Sequence, residues 1–152
     1  KKLRDAGQEV QGLIVGGEDP KRKAYAQEIR ERIAQENLGD RLRLTGARPD
    51  IREIFAVSDL VLSLSNKPES FGRTVVEALS MGVPVIGYDH GGVGEVLAQL
   101  YPQGRVALGD PESLYRTVTE SLGSAQSPLP NDRFLLREMV TQTLDCYQEL
   151  LQ

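Results

Sequence analysis

The order of apolar segments is the feature that most constrains the fold of this chain. Short apolar runs of strand length alternate along its 152 residues with longer stretches whose apolar residues recur at every third or fourth position. Such alternation is typical of strand–helix–strand crossovers, which build a parallel sheet. The pattern predicts strands at residues 10–15, 42–45, 60–64, 84–87 and 105–108. It predicts helices at residues 21–37, 51–56, 72–81, 93–100 and 111–122.

Two of these predicted strands, 60–64 and 84–87, are apolar at nearly every position. That composition indicates strands whose two faces are both covered, as when helices flank a parallel sheet. We therefore predict an α/β fold, a Rossmann-like parallel sheet with helices on both faces.

Several residues predict where helices begin and end. Asp110 before a proline predicts a helix capped by the aspartate side chain. Gly39 follows residues 21–37 and predicts a left-handed residue that closes this helix. Gly91 and Gly92 predict backbone with positive φ, and His90 beside them is then a turn residue.

The end of the chain differs from the rest. Residues 124–131 contain two prolines and no periodicity, so they predict a linker between residues 1–123 and the tail. Residues 132–152 predict an amphipathic helix, which either packs on this domain or docks another. Its apolar stripe comprises Leu135, Leu136, Met139, Val140, Leu144, Tyr147 and Leu151.

Composition excludes several classes of protein. Cys146 is the single cysteine and His90 the single histidine, so neither an intrachain disulfide nor a common structural zinc site can form. Acidic residues outnumber basic ones, 22 to 18, and only 5% of residues are aromatic, which argues against nucleic-acid binding. No apolar run is long enough to span a membrane. We expect a soluble, cytoplasmic protein.

The chemistry is expected where the strand at 60–64 meets the next helix. The carboxyl end of a parallel strand is where ligands of such folds bind, and a helix N-terminus favours phosphate. Glu69 lies in the connecting loop, and Glu77 lies roughly 7 to 8 Å along the helix from Gly72. Two carboxylates thus flank a phosphate site, where they would accept hydrogen bonds from hydroxyls. Nucleotide sugars carry hydroxyls on both sides of a diphosphate.

A series of motifs in this region resembles the signature of group 1 (family 4) retaining glycosyltransferases, and in particular their C-terminal, nucleotide-sugar-binding domain, one half of a GT-B fold. In chain order the motifs are PESFG at 68–72, EA at 77–78, MGVPVI at 81–86, DHGG at 89–92, and Glu95. The likeness extends back to residues 13–17, 42–48 and 59–61 and forward to 110–112.

The resemblance implies roles for individual residues. Glu77 matches the glutamate that binds the ribose hydroxyls, and Glu69 matches the catalytic-site glutamate that contacts the donor sugar. The backbone amides of Ser70, Phe71 and Gly72 match the loop that holds this sugar.

Other positions are implied to bind the rest of the donor. Arg73 and Thr74, together with the preceding glycine, would face the diphosphate. Arg73 replaces an apolar residue of the family pattern, and the alternative to a phosphate-binding role is that its side chain is simply exposed to solvent. Arg48 matches the edge of the base pocket, and Gly16 and Gly17 match the loop after an earlier strand.

The resemblance implies transfer of a sugar from a nucleoside diphosphate sugar to an acceptor with retention of anomeric configuration. No metal and no cofactor are expected, because the helix dipole and basic side chains can neutralise the leaving diphosphate. The loop sequence is similar to bacterial enzymes that build surface polysaccharide or lipopolysaccharide. The full-length enzyme would then work at the inner face of the membrane, with an N-terminal acceptor-binding domain, and the isolated fragment would be inactive.

One departure from the family pattern affects the fold. The family's first strand, its Gly-Arg pair and a following lysine are not visible, and residues 1–6 predict the end of the helix that follows them. Because that strand is central, its absence would leave the sheet split between the strands at 10–15 and 60–64, and the sheet would close only by rearrangement or with a partner chain. Two alternatives remain open: a nucleotide-sugar epimerase or phosphorylase domain of the same fold, and a non-catalytic binding module.

Overall fold

The computed structural model describes residues 1–124 and 127–151, which form two compact units. Unit 1 is Lys1–Glu53 and unit 2 is Ile54–Gln152. Residues 125 and 126 of the predicted linker, and Gln152 at the end of the predicted tail helix, lie outside the described residues.

Unit 1 contains a two-stranded parallel sheet. The elements are α1 (Lys2–Asp5), β1 (Gly12–Val15), a 3₁₀ turn (Pro20–Arg22), α2 (Lys23–Gln35), β2 (Leu42–Gly46) and the start of α3 (Ile51–Ala56). β1 pairs with β2 in register Gly12 to Leu42, with an irregularity before Val15. None of the residues in this unit is fully buried.

Unit 2 contains a three-stranded parallel sheet in the order β3-β4-β5. Its elements are β3 (Val61–Ser63), α4 (Arg73–Ser80), β4 (Val85–Tyr88), α5 (Gly91–Leu100), a 3₁₀ turn (Pro102–Gly104), β5 (Arg105–Val106), α6 (Pro111–Leu122) and α7 (Leu136–Leu150). The described strands therefore form two parallel sheets, with β1 and β3 in different ones. This confirms both the α/β fold with parallel sheets flanked by helices and the expected split. The prediction that both faces of the strand at 60–64 are covered is wrong, because Leu62 in β3 is 50% exposed.

The apolar core lies in unit 2, around β4. Both faces of this strand are covered, because Val85, Ile86 and Gly87 are all buried. A Cβ at Gly87 would lie 2.7 Å from Val93, so the glycine lets α5 pack directly on the strand. The core residues are Phe55, Val75, Val76, Ala78, Leu79, Val83, Val85, Ile86, Val93, Val96, Leu97, Leu100, Tyr101, Val106 and Val118.

Two predictions about helix ends have different outcomes. The Asp110 side chain accepts a hydrogen bond from the Ser113 amide at 2.9 Å, which confirms the predicted cap of α6. The prediction that Gly39 closes α2 is wrong. Asn37 holds the left-handed conformation, with φ 52°, and the Leu38 amide donates to the Ile33 carbonyl at 2.9 Å. This is a Schellman closure, in which glycine usually holds the left-handed position and asparagine sometimes does.

The tail helix begins four residues later than predicted, at Leu136 rather than at residue 132. The Asn131 side chain accepts a hydrogen bond from the Phe134 amide at 3.0 Å, and this local turn competes with helix in residues 131–134. The stripe on α7 is exposed in the described part of the chain: Leu144 is 53% exposed and Tyr147 62%. The expectation that α7 packs on the domain is therefore wrong here.

A helix that spans a bilayer must be both long and apolar. None of the helices formed by the described residues meets both requirements.

Candidate functional site

The loop that joins β3 to α4, residues 64–72, rests on the segment that follows β4, which comprises residues 89–90 and the start of α5. The Gly92 amide donates to the Glu69 carbonyl at 2.8 Å, and His90 Nε2 lies 2.9 Å from the Ser65 carbonyl oxygen. The second contact is a hydrogen bond when the neutral ring carries its proton on Nε2. Because β3 and β4 are parallel, the segments that follow the two strands meet at the carboxyl edge of this sheet, where the sequence predicts ligand chemistry.

Two glycines at the start of α5 allow the 64–72 loop to approach this helix closely. A Cβ at Gly92 would lie 2.5 Å from the Phe71 Cα, and one at Gly91 would lie 2.7 Å from the Glu69 carbonyl. Gly91 has φ 55°, as predicted, but Gly92 has no positive φ. The prediction for Gly92 is therefore wrong in its reason: the absence of a side chain, rather than an unusual φ, is what this position requires.

The start of α4 is shaped by Gly72. This residue adopts the left-handed conformation, with φ 80° and ψ 48°, and turns the chain into the helix. Its missing Cβ would lie 3.2 Å from the Val93 side chain. Because glycine has no side chain, Gly72 cannot cap the amides of the first turn of α4. Amides at a helix start are the groups that commonly bind anions.

The helix α4 separates its apolar and polar residues cleanly. Val75, Val76, Ala78 and Leu79 are buried. Arg73, Thr74 and Glu77 are exposed, as are the loop residues Glu69, Ser70 and Phe71. Burial of one face thus fixes the direction in which the predicted donor-binding side chains project.

Arg73 and Glu77 contact each other on this polar face. Arg73 Nη2 lies 3.3 Å from Glu77 Oε1, one turn apart on the helix. The Arg73 side chain is 82% exposed, and exposed pairs of this kind contribute little to stability. The pair is therefore free to exchange its partners when a ligand arrives.

A cleft of about 1180 Å³ borders these residues. The loop and α4 contribute Phe71, Arg73 and Glu77, and the tail contributes Phe134 among others. Glu69, Ser70, Gly72 and Thr74 are not among its lining residues. The sequence prediction thus found one wall of this cleft, and it missed the wall formed by the tail.

A further ion pair fixes the loop after β4. Arg105 Nε and Nη2 donate to the two carboxylate oxygens of Asp89 at 2.9 and 2.6 Å. This hydrogen bonding raises the pKa of Arg105. Sequence reasoning missed the pair because its members are sixteen positions apart, although Gly87 and Arg105 are register partners in adjacent strands.

The remaining predicted residues belong to unit 1 and follow its two strands. The Gly16 amide donates to the Gly46 carbonyl at 3.0 Å, and a Cβ at Gly17 would lie 3.5 Å from that of Ala47. Arg48 Nε donates to Asp50 at 2.8 Å. That bond raises the pKa of Arg48 and lowers the pKa of Asp50. Gly16, Gly17 and the loop of Arg48 therefore lie together at the carboxyl edge of the β1–β2 sheet.

The described residues include no cluster of metal-ligating side chains: no group of three or more His, Cys, Asp or Glu side chains among them is arranged to bind a metal ion.

Comparison with known proteins identifies the family. Residues 1–128 match the family described as "Glycosyl transferases group 1". The chain belongs to this family. The match ends before residues 129–151, so the tail that lines the cleft lies beyond it.

Two curated relatives are similar over part of the chain. An N-acetyl-alpha-D-glucosaminyl L-malate synthase from Bacillus anthracis is 44% identical over 61 residues, which is 40% of this chain and 16% of that protein. A 2-deoxystreptamine glucosyltransferase from Streptomyces kanamyceticus is 31% identical over 122 residues, 79% of this chain and 30% of that protein.

A solved structure extends the comparison to the fold. The Anabaena HepE protein, crystallised in complex with UDP and glucose, superimposes with a TM-score of 0.72 and 29% sequence identity, over 77% of this chain and 32% of that one. This chain therefore spans less than a third of the length of each of the relatives described here.

Proposed function

We propose that this chain is the donor-binding part of a retaining glycosyltransferase, which transfers a sugar from a nucleoside diphosphate sugar to an acceptor. The observation that carries the proposal is the 64–72 loop, which brings Glu69 to the start of α4, with Glu77 on the exposed face of that helix. Membership of the group 1 family and the likeness to a protein crystallised with UDP and glucose support it.

The proposed roles follow the chemistry of the exposed groups. Glu77 accepts hydrogen bonds from the ribose hydroxyls, and Glu69 accepts them from the donor sugar. The amides of Ser70, Phe71 and Gly72 bind the sugar, with Gly72 at the start of α4. Thr74 and Arg73 face the diphosphate, which the positive end of α4 also stabilises. Gly16, Gly17 and Arg48 contribute to the base side of the donor.

Transfer with retention needs no protein nucleophile in this proposal. The bond between the anomeric carbon and the diphosphate oxygen breaks, and the acceptor hydroxyl attacks the same face of the sugar. Its proton passes to the departing phosphate oxygen, so atoms and charges balance. We propose that neither a metal nor a cofactor takes part, because α4 and Arg73 stabilise the developing negative charge.

The acceptor is proposed to be a bacterial surface glycan or glycolipid, handled by a separate acceptor-binding domain, with the whole enzyme at the cytoplasmic face of the membrane. Transfer requires that domain to orient the acceptor and to exclude water. We therefore expect residues 1–152 alone to show no sugar transfer. An epimerase or phosphorylase would instead give an isomerised or phosphorylated sugar, so analysis of the products of the full-length protein separates these reactions.

The decisive experiment is calorimetry on the full-length protein with UDP and with GDP. Glu77→Ala removes a charged acceptor worth about 1.5 to 3 kcal/mol, which weakens nucleotide binding roughly 10-fold to 150-fold. Glu120→Ala, which removes an exposed glutamate from α6, is the matched control and leaves affinity unchanged. Equal affinities in wild type and Glu77→Ala would contradict the assigned role.

A second variant separates the two glutamates. Glu69→Ala spares the affinity for UDP, which has no donor sugar to contact, and lowers turnover, because a carboxylate near the developing oxocarbenium charge acts mainly in the transition state. Steady-state kinetics with UDP-glucose and with GDP-mannose measure this effect. Weakened binding of the free nucleotide by Glu69→Ala would show that the roles are assigned wrongly.

A further inference from the structure

Residues 129–134, which we call the tail strap, are fastened to unit 2 by hydrogen bonds. The Leu129 amide donates to the Leu100 carbonyl at 3.0 Å, at the end of α5. Asn131 Nδ2 donates to Ser80 Oγ at 2.9 Å, at the end of α4, while Asn131 Oδ1 accepts from the Phe134 amide at 3.0 Å. The strap therefore links the ends of the two helices that carry the candidate site.

The strap also reaches the site itself through one aromatic contact. The rings of Phe134 and Phe71 meet edge to face, with centroids 5.8 Å apart and an interplanar angle of 65°. The backbone of Phe71 packs against Gly92, where a Cβ would lie 2.5 Å from the Phe71 Cα. Phe71 is thus held both by its backbone and by its ring, immediately before the left-handed Gly72.

We propose that Phe134 is a positioning residue for donor binding, which holds the 64–72 loop through Phe71 while Asn131 anchors the strap. This inference rests on the proposed function, since it assigns Phe134 to the loop whose amides are proposed to bind the donor sugar. The family match ends at residue 128, so the strap contributes something that the matched motifs do not contain.

The chemistry of the strap fits a positioning role. Phe134 is apolar and partly buried, and it lines the same cleft as Arg73 and Glu77. A phenylalanine offers no acid, base or nucleophile, and its ring contacts the Phe71 ring, which is the route by which it can position the loop. A loop that is held in place before the ligand arrives loses less conformational freedom on binding, which increases affinity.

The first test measures the loop without any ligand, by hydrogen–deuterium exchange on the full-length protein. Phe134→Ala should speed amide exchange in residues 65–72, whereas Phe134→Tyr, which keeps the ring, should leave it unchanged. Tyr25→Ala removes an exposed aromatic ring from α2 in unit 1 and is the matched control. Unchanged exchange in Phe134→Ala overturns the proposal. Should this variant fail to fold, Asn131→Ala, which detaches the strap from Ser80, takes its place with the same expected result.

The second test measures binding of UDP-glucose and UDP, and of GDP-mannose and GDP. Phe134→Ala should weaken binding of the nucleotide sugar roughly 2-fold to 12-fold, as is typical of an aromatic pair, and should weaken the free nucleotide less. In a double-mutant cycle with Phe71→Ala the two losses should not add. Additive losses, or equal affinities in wild type and Phe134→Ala, overturn the proposal. A wild type that binds none of these nucleotides contradicts the proposed function instead, and the exchange test then decides the strap alone.

Discussion

Units 1 and 2 are stabilised by different means. In unit 2, fifteen apolar residues between Phe55 and Val118 are buried, and Val75, Val85, Ile86 and Leu97 have no exposed surface at all. In unit 1 no residue is fully buried, and the apolar strand residues Leu13, Ile14 and Leu44 are 37 to 49% exposed. Burial of apolar surface is the largest favourable term in folding, so unit 2 contains most of the stability of the described chain.

Charged pairs are the main side-chain interactions of unit 1. Lys1 lies 2.7 Å from Glu36, Arg4 lies 2.7 Å from Asp5, and Arg48 lies 2.5 Å from Asp50. Exposed pairs like these contribute little. The loop of Glu69 and the helix of Glu77 thus belong to a unit with a packed apolar core. The unit that contains Gly16, Gly17 and Arg48 is stabilised by a short sheet and by surface charge pairs.

The largest expected effect tests the core of unit 2. Leu97→Ala should lower the free energy of unfolding by about 2 to 5 kcal/mol, because it leaves a cavity where packing is complete. Leu13→Ala removes the same atoms from a half-exposed position of β1 and should lower the free energy of unfolding by only about 0.7 to 1.5 kcal/mol. Urea denaturation followed by circular dichroism measures both. Equal losses would show that the two units do not differ as described.

The close packing of Gly92 against Phe71 can be tested in the same way. Gly92→Ala places a methyl group 2.5 Å from the Phe71 Cα, so the backbone must move, at a cost of about 1 to 3 kcal/mol. Gly39→Ala in unit 1 meets no atom within 4 Å and is the control. We expect Gly92→Ala to lose stability and nucleotide binding together, as measured by thermal shift with UDP. A variant that keeps both would show that the close contact between the 64–72 loop and the start of α5 is not required.

The last prediction concerns the stability of unit 1 at low pH, where we expect only a small change. The pKa values of Asp5, Glu36 and Asp50 are lowered, chiefly by hydrogen bonds from Arg4, Lys1 and Arg48. A lowered pKa stabilises the fold above the ordinary values of 3.8 and 4.5, and this stability is lost as the pH falls through the lowered values. Amide exchange, corrected for its intrinsic pH dependence, should therefore increase in unit 1 before unit 2 on acidification to about pH 3. Simultaneous opening would contradict the role of these pairs.

Most of the fold was predictable from local patterns. The helices α3 and α6 have the predicted bounds, and each predicted strand overlaps an observed one, because apolar periodicity and capping residues act over a few neighbouring positions. The split between the β1–β2 sheet and the β3–β4–β5 sheet was also predictable, because the central first strand of the family pattern is not visible in this sequence.

The contacts that shape the site were not predictable in the same way. Phe71 and Phe134 are 63 positions apart, and Asp89 meets Arg105 only because β4 and β5 are neighbours. The periodicity of apolar residues cannot predict such long-range contacts, because they depend on how helices and strands pack together. Gly92 shows a related limit: the sequence indicated that a glycine was required, but only the packing against Phe71 shows why.

The contact between Arg73 and Glu77 has a consequence for how salt affects the proposed binding reaction. Without a ligand, Arg73 serves as an internal counterion for the carboxylate, so an acid beside a phosphate site repels the incoming diphosphate less than it otherwise would. Binding is then an exchange of partners, in which the guanidinium passes to the phosphate and the carboxylate to hydroxyls. Salt screens the attraction between Arg73 and Glu77 that is lost, as well as the attraction between Arg73 and the phosphate that is gained. The affinity for a nucleoside diphosphate should thus depend less on ionic strength than that of a site built from an unpaired cation.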